Sequence, residues 1–218
     1  MSRECPFCFD EAVRVRTSHL EWLDVRTRVL ESVGGVKLCA GLGAIVEPYI
    51  IAFTSAHHVS VTELESSLRR NLLDSLDVCL DSGNFPSGAL AVFEHGGSST
   101  DASTACIEHC HLHVTDAAHD LRAQFELKFP EAEGAAITEQ DVFAPDSGPG
   151  YLFAGIYRGD RAIHGLLVHA PGCGSQFFRR LLAVQVQSSE WNWRVWPKPE
   201  AANRLCERWS SDGEERDS

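Results

Sequence analysis

The stretch His109-Cys110-His111-Leu112-His113-Val114 constrains this chain more than any other. Histidine recurs at every second position, with small or apolar residues between. Side chains on a β-strand alternate between faces, so residues two apart point the same way. The pattern predicts a strand over 106–115, with His109, His111 and His113 on one face. Cys110, Leu112 and Val114 then enter the core behind them. Three imidazoles on one face bring metal-ligand, nucleophile and proton-donor chemistry close together.

Other stretches supply a sheet for that strand. Val36 to Leu38, Ala44 to Phe53 and Ala89 to Phe93 read as strands, and Gly150 to Gly155 pairs with Ile163 to Val168 as a hairpin around Arg158-Gly159-Asp160. Residues 11–33 read as one or two strands, or a strand and a helix. Leu64, Leu68, Leu72, Leu73, Leu76 and Leu80 recur at helical spacing after Thr62-Glu63, and Asp81-Ser82-Gly83-Asn84 stops them. A second helical stretch follows Asp116, with Leu121, Phe125 and Phe129 on one stripe. Residues 130–150, rich in Pro, Gly, Ala and acid, read as a linker, and 151–209 as a C-terminal α/β extension. In it a helix opens near Ser175, whose N-terminus with Arg179 or Arg180 suits an anion. Trp191, Trp193 and Trp196 read as a packing cluster. The charged tail, 210–218, reads as disordered.

Charge narrows the partners. Nineteen basic against 31 acidic residues give a formal net charge of −12, which excludes a general nucleic-acid backbone binder. A small anionic substrate stays compatible, because a local pocket can be positive on an acidic protein. No apolar run is long enough to span a bilayer, and Met1-Ser2-Arg3-Glu4-Cys5 carries no signal-peptide core. The expectation is a soluble cytoplasmic protein with no membrane partner. Eight cysteines in a reducing compartment point to metal rather than disulfides. Cys5-Pro6-Phe7-Cys8 is a C-x-x-C knuckle that lets two thiolates grip one zinc ion from a tight turn. It needs two further ligands, and His57, His58 and His109 are the candidates.

At these residues the chain resembles the histidine triad (HIT) superfamily of nucleotide hydrolases and transferases. His109-Cys110-His111-Leu112-His113-Val114-Thr115 fits the H-x-H-x-H-x-x signature. Cys5-x-x-Cys8, the block Ile50 to Leu80 with His57-His58, and the block Val92 to Val114 follow in the family's order over roughly residues 1–120. Phe93-Glu94-His95-Gly96, Ser-Gln-x-x-Arg-Arg at 175–180 and Trp-x-Trp-Arg at 191–194 resemble a bacterial HIT-like subgroup.

The resemblance implies an α+β fold: a HIT-like antiparallel β-sheet with a long packed helix in a catalytic domain over 1–129. It implies His111 as a nucleophile on the α-phosphorus of a nucleotide, forming a nucleotidyl-histidine. His113 would hydrogen-bond the phosphate or bridging oxygen. A structural zinc would be held by Cys5, Cys8, His57 and His109, with His58 as the rival for the third place. Uridylyltransferases of the zinc-bearing branch usually carry Gln where this chain has His113, which favours the hydrolase side. The family's usual Asn before the triad is replaced by His95, or by Glu94 if the register shifts. Cys106 falls where many relatives carry a phosphate-binding hydroxyl, so Ser103 and Thr104 become the substitute contacts. A homodimer is also implied. The functional expectation is a nucleotide phosphohydrolase or nucleotidyltransferase. The alternatives are a non-catalytic nucleotide-binding or sensing HIT-like protein, and a zinc site built from the three triad histidines alone.

Overall fold

A computed structural model describes residues 5, 7, 8, 25–96, 107, 109–143, 150–169, 173–174 and 176–216. Among the described residues eight strands and four α-helices follow one another: β1 (Val29–Val33), β2 (Val36–Ala40), β3 (Tyr49–Thr54), α1 (Ser66–Asp81), β4 (Leu90–Gly96), β5 (His111–Asp116), α2 (Arg122–Lys128), β6 (Glu133–Thr138), β7 (Tyr151–Tyr157), β8 (Ala162–Val168), α3 (Phe177–Gln185) and α4 (Pro199–Arg216). The strands form one sheet in the order β1-β2-β3-β5-β4-β7-β8-β6, and every neighbouring pair is antiparallel. The class is α+β.

Strand alternation sorts the core into two layers. On one face Leu38, Ile50, Ala52, Val92, Leu112, Val114 and Phe153 pack against Leu72, Leu73 and Leu76 of α1. Leu205 and Trp209 of α4 join the same layer. On the other face Tyr49, Ile51, Phe53, Phe93 and Leu152 pack against Phe125 of α2 and Phe177, Phe178 and Leu182 of α3. The sheet is thus covered on both sides, and β5 lies inside it with β3 and β4 as neighbours.

Helix α1 starts at Ser66, one turn later than Thr62-Glu63 suggested, because Val61–Glu63 forms a 3-10 turn first. Arg69 of α1 is buried and donates to the backbone oxygens of Glu139 and Gln140, fastening the end of β6 to the helix.

Three readings of the sequence are corrected. Residues 133–138, inside the expected linker, form the edge strand β6 paired with β8. Gly134-Ala135-Ala136 offer little apolar alternation, so an edge strand there has no signature in the sequence. The expected extension likewise contributes β7 and β8 to the same sheet as the triad strand. Residues 210–216, expected to be disordered, continue α4, which is anchored by Ala202, Leu205 and Trp209 on its inner stripe. No helix among the described residues is long and apolar enough to cross a membrane.

Candidate metal and histidine site

The triad strand begins two residues later than His109, and this divides the histidines into two roles. Cys110 donates its amide to the His58 carbonyl at 2.6 Å, pulling the stretch before β5 alongside the end of β3. His109 is buried there, and its Nε2 lies 2.6 Å from the Thr54 carbonyl oxygen. A carbonyl only accepts, so Nε2 carries the proton and Nδ1 presents its lone pair.

That lone pair faces sulfur. Cys5 Sγ is 3.3 Å and Cys8 Sγ 3.9 Å from His109 Nδ1, and Cys8 Sγ is 3.2 Å from His57 Nδ1. The four ligand atoms lie within 4.8 Å of one another. A tetrahedral site with metal–sulfur bonds of about 2.3 Å and metal–nitrogen bonds of about 2.0 Å has sulfur and nitrogen about 3.6 Å apart. The observed separations bracket that value, so Cys5, Cys8, His57 and His109 fit a metal ion as a closed four-ligand set. The Thr54 carbonyl behind His109 is the orienting partner that metal-ligating histidines carry. His57, not His58, joins the cluster; His58 contributes its carbonyl to Cys110. Among the described residues this is the single group of three or more such ligands, and it does not include His111 or His113. The described cysteines form no disulfide.

His111 and His113 share one face of β5 as alternation requires, while Leu112 and Val114 are fully buried on the other. His111 Nδ1 lies 2.6 Å from the His109 carbonyl oxygen. Nδ1–H must donate there, which leaves Nε2 as a free base. Phe7, in the C-x-x-C turn, stacks on Phe53 at 4.6 Å and packs against the rings of His109 and His111 at 5.6 and 5.4 Å. One residue thus joins the metal ligands to the triad. His113 Nδ1 is 2.6 Å from the Tyr49 hydroxyl.

Burial lowers the pKa of His95, His109, His111 and His113: to about 4 for His95 and His109, lowered for His111, and well below the usual range for His113. Desolvation is the main cause in each, and neighbouring imidazoles add to it at His95, His109 and His113. Neutral imidazoles are what both metal ligation and nucleophilic attack require.

His95 is half-buried on the same face as Phe93 of β4, close enough to feel the charge of His111 and to act on His113. Glu94 is on the opposite face and away from the histidines. It is 1% exposed, accepts from Tyr151 Oη at 2.5 Å and from the Val61 amide at 3.0 Å, and has Cys110 Sγ at 3.9 Å. Its expected substrate contact is corrected by strand parity: if His95 faces the site, Glu94 cannot. Ser103 and Thr104, with Cys106 and Ser175, lie outside the described residues. Arg179 is buried and donates to backbone carbonyls rather than standing open to an anion.

Desolvation pushes the Glu94 carboxyl up to about 7, although its three donors oppose the shift. In the fold it holds a proton up to about pH 7, whereas the unfolded chain releases it near 4.5. The stability it contributes is therefore complete below about pH 4.5 and lost as pH rises through about 7. Glu94→Gln is expected to stabilise the fold above neutrality by roughly 2 kcal/mol while changing little near pH 5. Thermal unfolding across that pH range checks this, and an identical effect at both ends would sink it.

Tyr49 and Phe7 were not singled out as site residues by the sequence, and Arg179 was read only as one of two candidate anion contacts. Tyr49 had a signal: Tyr49, Ile51 and Phe53 alternate on β3, and Ile51 registers against His113 and Phe53 against His111.

Fold and site together define an α+β protein with a Cys/Cys/His/His cluster able to hold a metal beside a buried face of neutral histidines. The chain matches no family model and no curated protein sequence.

Proposed function

We propose that this chain is a HIT-type nucleotide phosphohydrolase or nucleotidyltransferase that works through a nucleotidyl-histidine on His111. The observation that carries the reading is the 2.6 Å contact between His111 Nδ1 and the His109 carbonyl, which leaves Nε2 unprotonated beside His113. Nε2 attacks the α-phosphorus, a nitrogen–phosphorus bond forms, and the phosphorus–oxygen or phosphorus–nitrogen bond to the leaving group breaks. His113 gives its Nε2 proton to the departing atom. Water, or a second phosphate, then attacks the same phosphorus, the nitrogen–phosphorus bond breaks, and the proton lost by the attacking group returns to His113 Nε2. His95, on the next strand, contacts the phosphate oxygens.

Zinc is the proposed metal, because two thiolates and two imidazoles in a closed tetrahedron suit it and leave no position for water. Bound, it would supply a net-neutral crosslink tying Cys5 and Cys8 to His57 and His109. The chain's own residues transmit that order: His109 binds through Nδ1 and holds His111 through its carbonyl.

The test is a turnover panel of dinucleoside polyphosphates, nucleoside phosphoramidates, nucleotide sugars and nucleoside triphosphates, read by chromatography. Intact mass of the protein, quenched without acid, reads the adduct. Mononucleotide release with an adduct of one nucleotidyl group supports the reading. Saturable nucleotide binding with neither turnover nor adduct supports the non-catalytic alternative and removes the enzyme.

A further inference from the structure

We propose that Arg179 and Tyr49 form a positioning relay that fixes His113 in the tautomer with its proton on Nε2, the edge presented to the leaving group; this rests on the nucleotidyl-transfer reading above. Neither Tyr49 nor Arg179 touches the reacting atoms in it. They set which nitrogen of His113 can donate.

The geometry runs outward from the ring. Phe93 stacks on His113 at 5.0 Å and 16°, and the Tyr49 ring lies nearly parallel to it at 5.8 Å and 18°. An imidazole exchanges hydrogen bonds along its edge. On that edge the Tyr49 hydroxyl sits 2.6 Å from Nδ1. A phenol has one proton to give and lone pairs to receive, so the contact alone fits either tautomer. The third group decides. Arg179 Nη1 is 3.1 Å from the same oxygen, and a guanidinium only donates. With a lone pair of the phenol taken by Arg179, its proton is directed at His113 Nδ1. The opposite tautomer would aim two donors, Arg179 Nη1 and His113 Nδ1, at the one phenol oxygen. The cation also polarises the phenol, making it the stronger donor.

Arg179 is itself held firmly. It is 4% exposed, its Nε donates to the Trp191 carbonyl at 2.8 Å, and its Nη2 donates to the Gly43 carbonyl. Gly43 has φ +65°, and a Cβ there would stand 2.9 Å from Arg179 Nη2 and 2.6 Å from Trp193 Cβ. A glycine is needed for the loop to receive the arginine. From the other side, the Gln176 side chain accepts from the Trp193 amide at 3.2 Å and donates to Asn192 Oδ1 at 3.2 Å, setting the loop that carries the Trp191 carbonyl. Among the described residues no carboxylate forms an ion pair with Arg179. Its charge therefore acts on Tyr49 undiminished, and it is one of the influences that keep His113 neutral.

The experiment uses the full chain with ¹⁵N-labelled histidine and long-range proton–nitrogen correlation, with the His113 signals assigned through His113→Gln. In the wild type, His113 is expected to show a protonated Nε2 and an accepting Nδ1. Tyr49→Phe keeps the stacking ring and removes the hydroxyl, and should convert His113 to a tautomer mixture. His111 should keep its protonated Nδ1, which verifies the fold. Arg179→Met should give the same mixture, and Arg179→Lys should restore part of the wild-type state. A protonated Nδ1 on wild-type His113, or a tautomer unmoved in both Tyr49→Phe and Arg179→Met, overturns the relay.

The kinetic arm separates positioning from general damage. Tyr49→Phe should lower kcat by about tenfold to a hundredfold with a poor leaving group, little with an activated one, and leave KM within about twofold. Equal losses for both leaving groups overturn the leaving-group role. The tautomer as expected with no turnover of any substrate overturns the functional reading and leaves the relay standing.

Discussion

His111→Ala is expected to abolish mononucleotide release, by about 10⁴-fold or more, while nucleotide binding survives. In the proposed mechanism every covalent step passes through Nε2 of that ring, so no neighbouring group can take it over. His113 has its Nδ1 committed to Tyr49, and His109 has its Nδ1 turned to the cysteines. His111→Asn is the sharper variant. Its side-chain amide can still donate to the His109 carbonyl, so the local hydrogen bond is kept while the nucleophile is gone. Both variants should lose the nucleotidyl adduct by mass and retain metal. The wild type is measured beside them under the same conditions. Residual turnover within about tenfold of wild type in both variants would remove His111 as the nucleophile.

Cys5→Ser or Cys8→Ser should reduce metal content from one ion per chain to none after dialysis, with affinity lowered by more than about a hundredfold. The comparison of His57→Ala with His58→Ala is equally informative. The first should empty the site, and the second should leave it filled. A metal present at about a thousand times its dissociation constant stabilises a fold by about 4 kcal/mol. For a chain of this length that corresponds to about 10 °C in Tm, so chelation should shift thermal unfolding by that amount. Full metal retention in Cys5→Ser would overturn the ligand set. Retained metal with lost turnover in His111→Ala, against lost metal in Cys5→Ser, separates the two halves of the site.

Much of the site was legible because its signals are local. Period-two alternation placed His111 and His113 opposite Leu112 and Val114, and C-x-x-C announced a metal half-site that the fold completes with His57 and His109. The alternation failed at its first member. His109 lies outside β5 and turns its ring to the cysteines, because the strand starts only at His111. What was hidden depends on pairing between distant segments. Glu94 and His95 are neighbours in sequence, and only the register of β4 says which one faces the histidines. Arg179 reads as an anion contact interchangeable with Arg180, since the carbonyls of Gly43 and Trp191 that bury it leave no residue-type signal. The edge strand β6 shows the same limit, because its partner β8 and the Arg69 anchor, not its own composition, make it a strand.

The placement of β5 has a consequence for how the site comes apart. Its backbone is bonded on both sides, to β3 and β4, in the interior of an eight-stranded sheet. Amides in such a strand exchange with solvent only through large-scale opening. The Cys5–Cys8 turn reaches the same site through its thiols and through Phe7, which is buried against Phe53. The proposed nucleophile is therefore built into a slowly exchanging layer whose backbone bonds do not pass through the metal ligands. A protein stripped of metal is expected to keep its histidine strand in place.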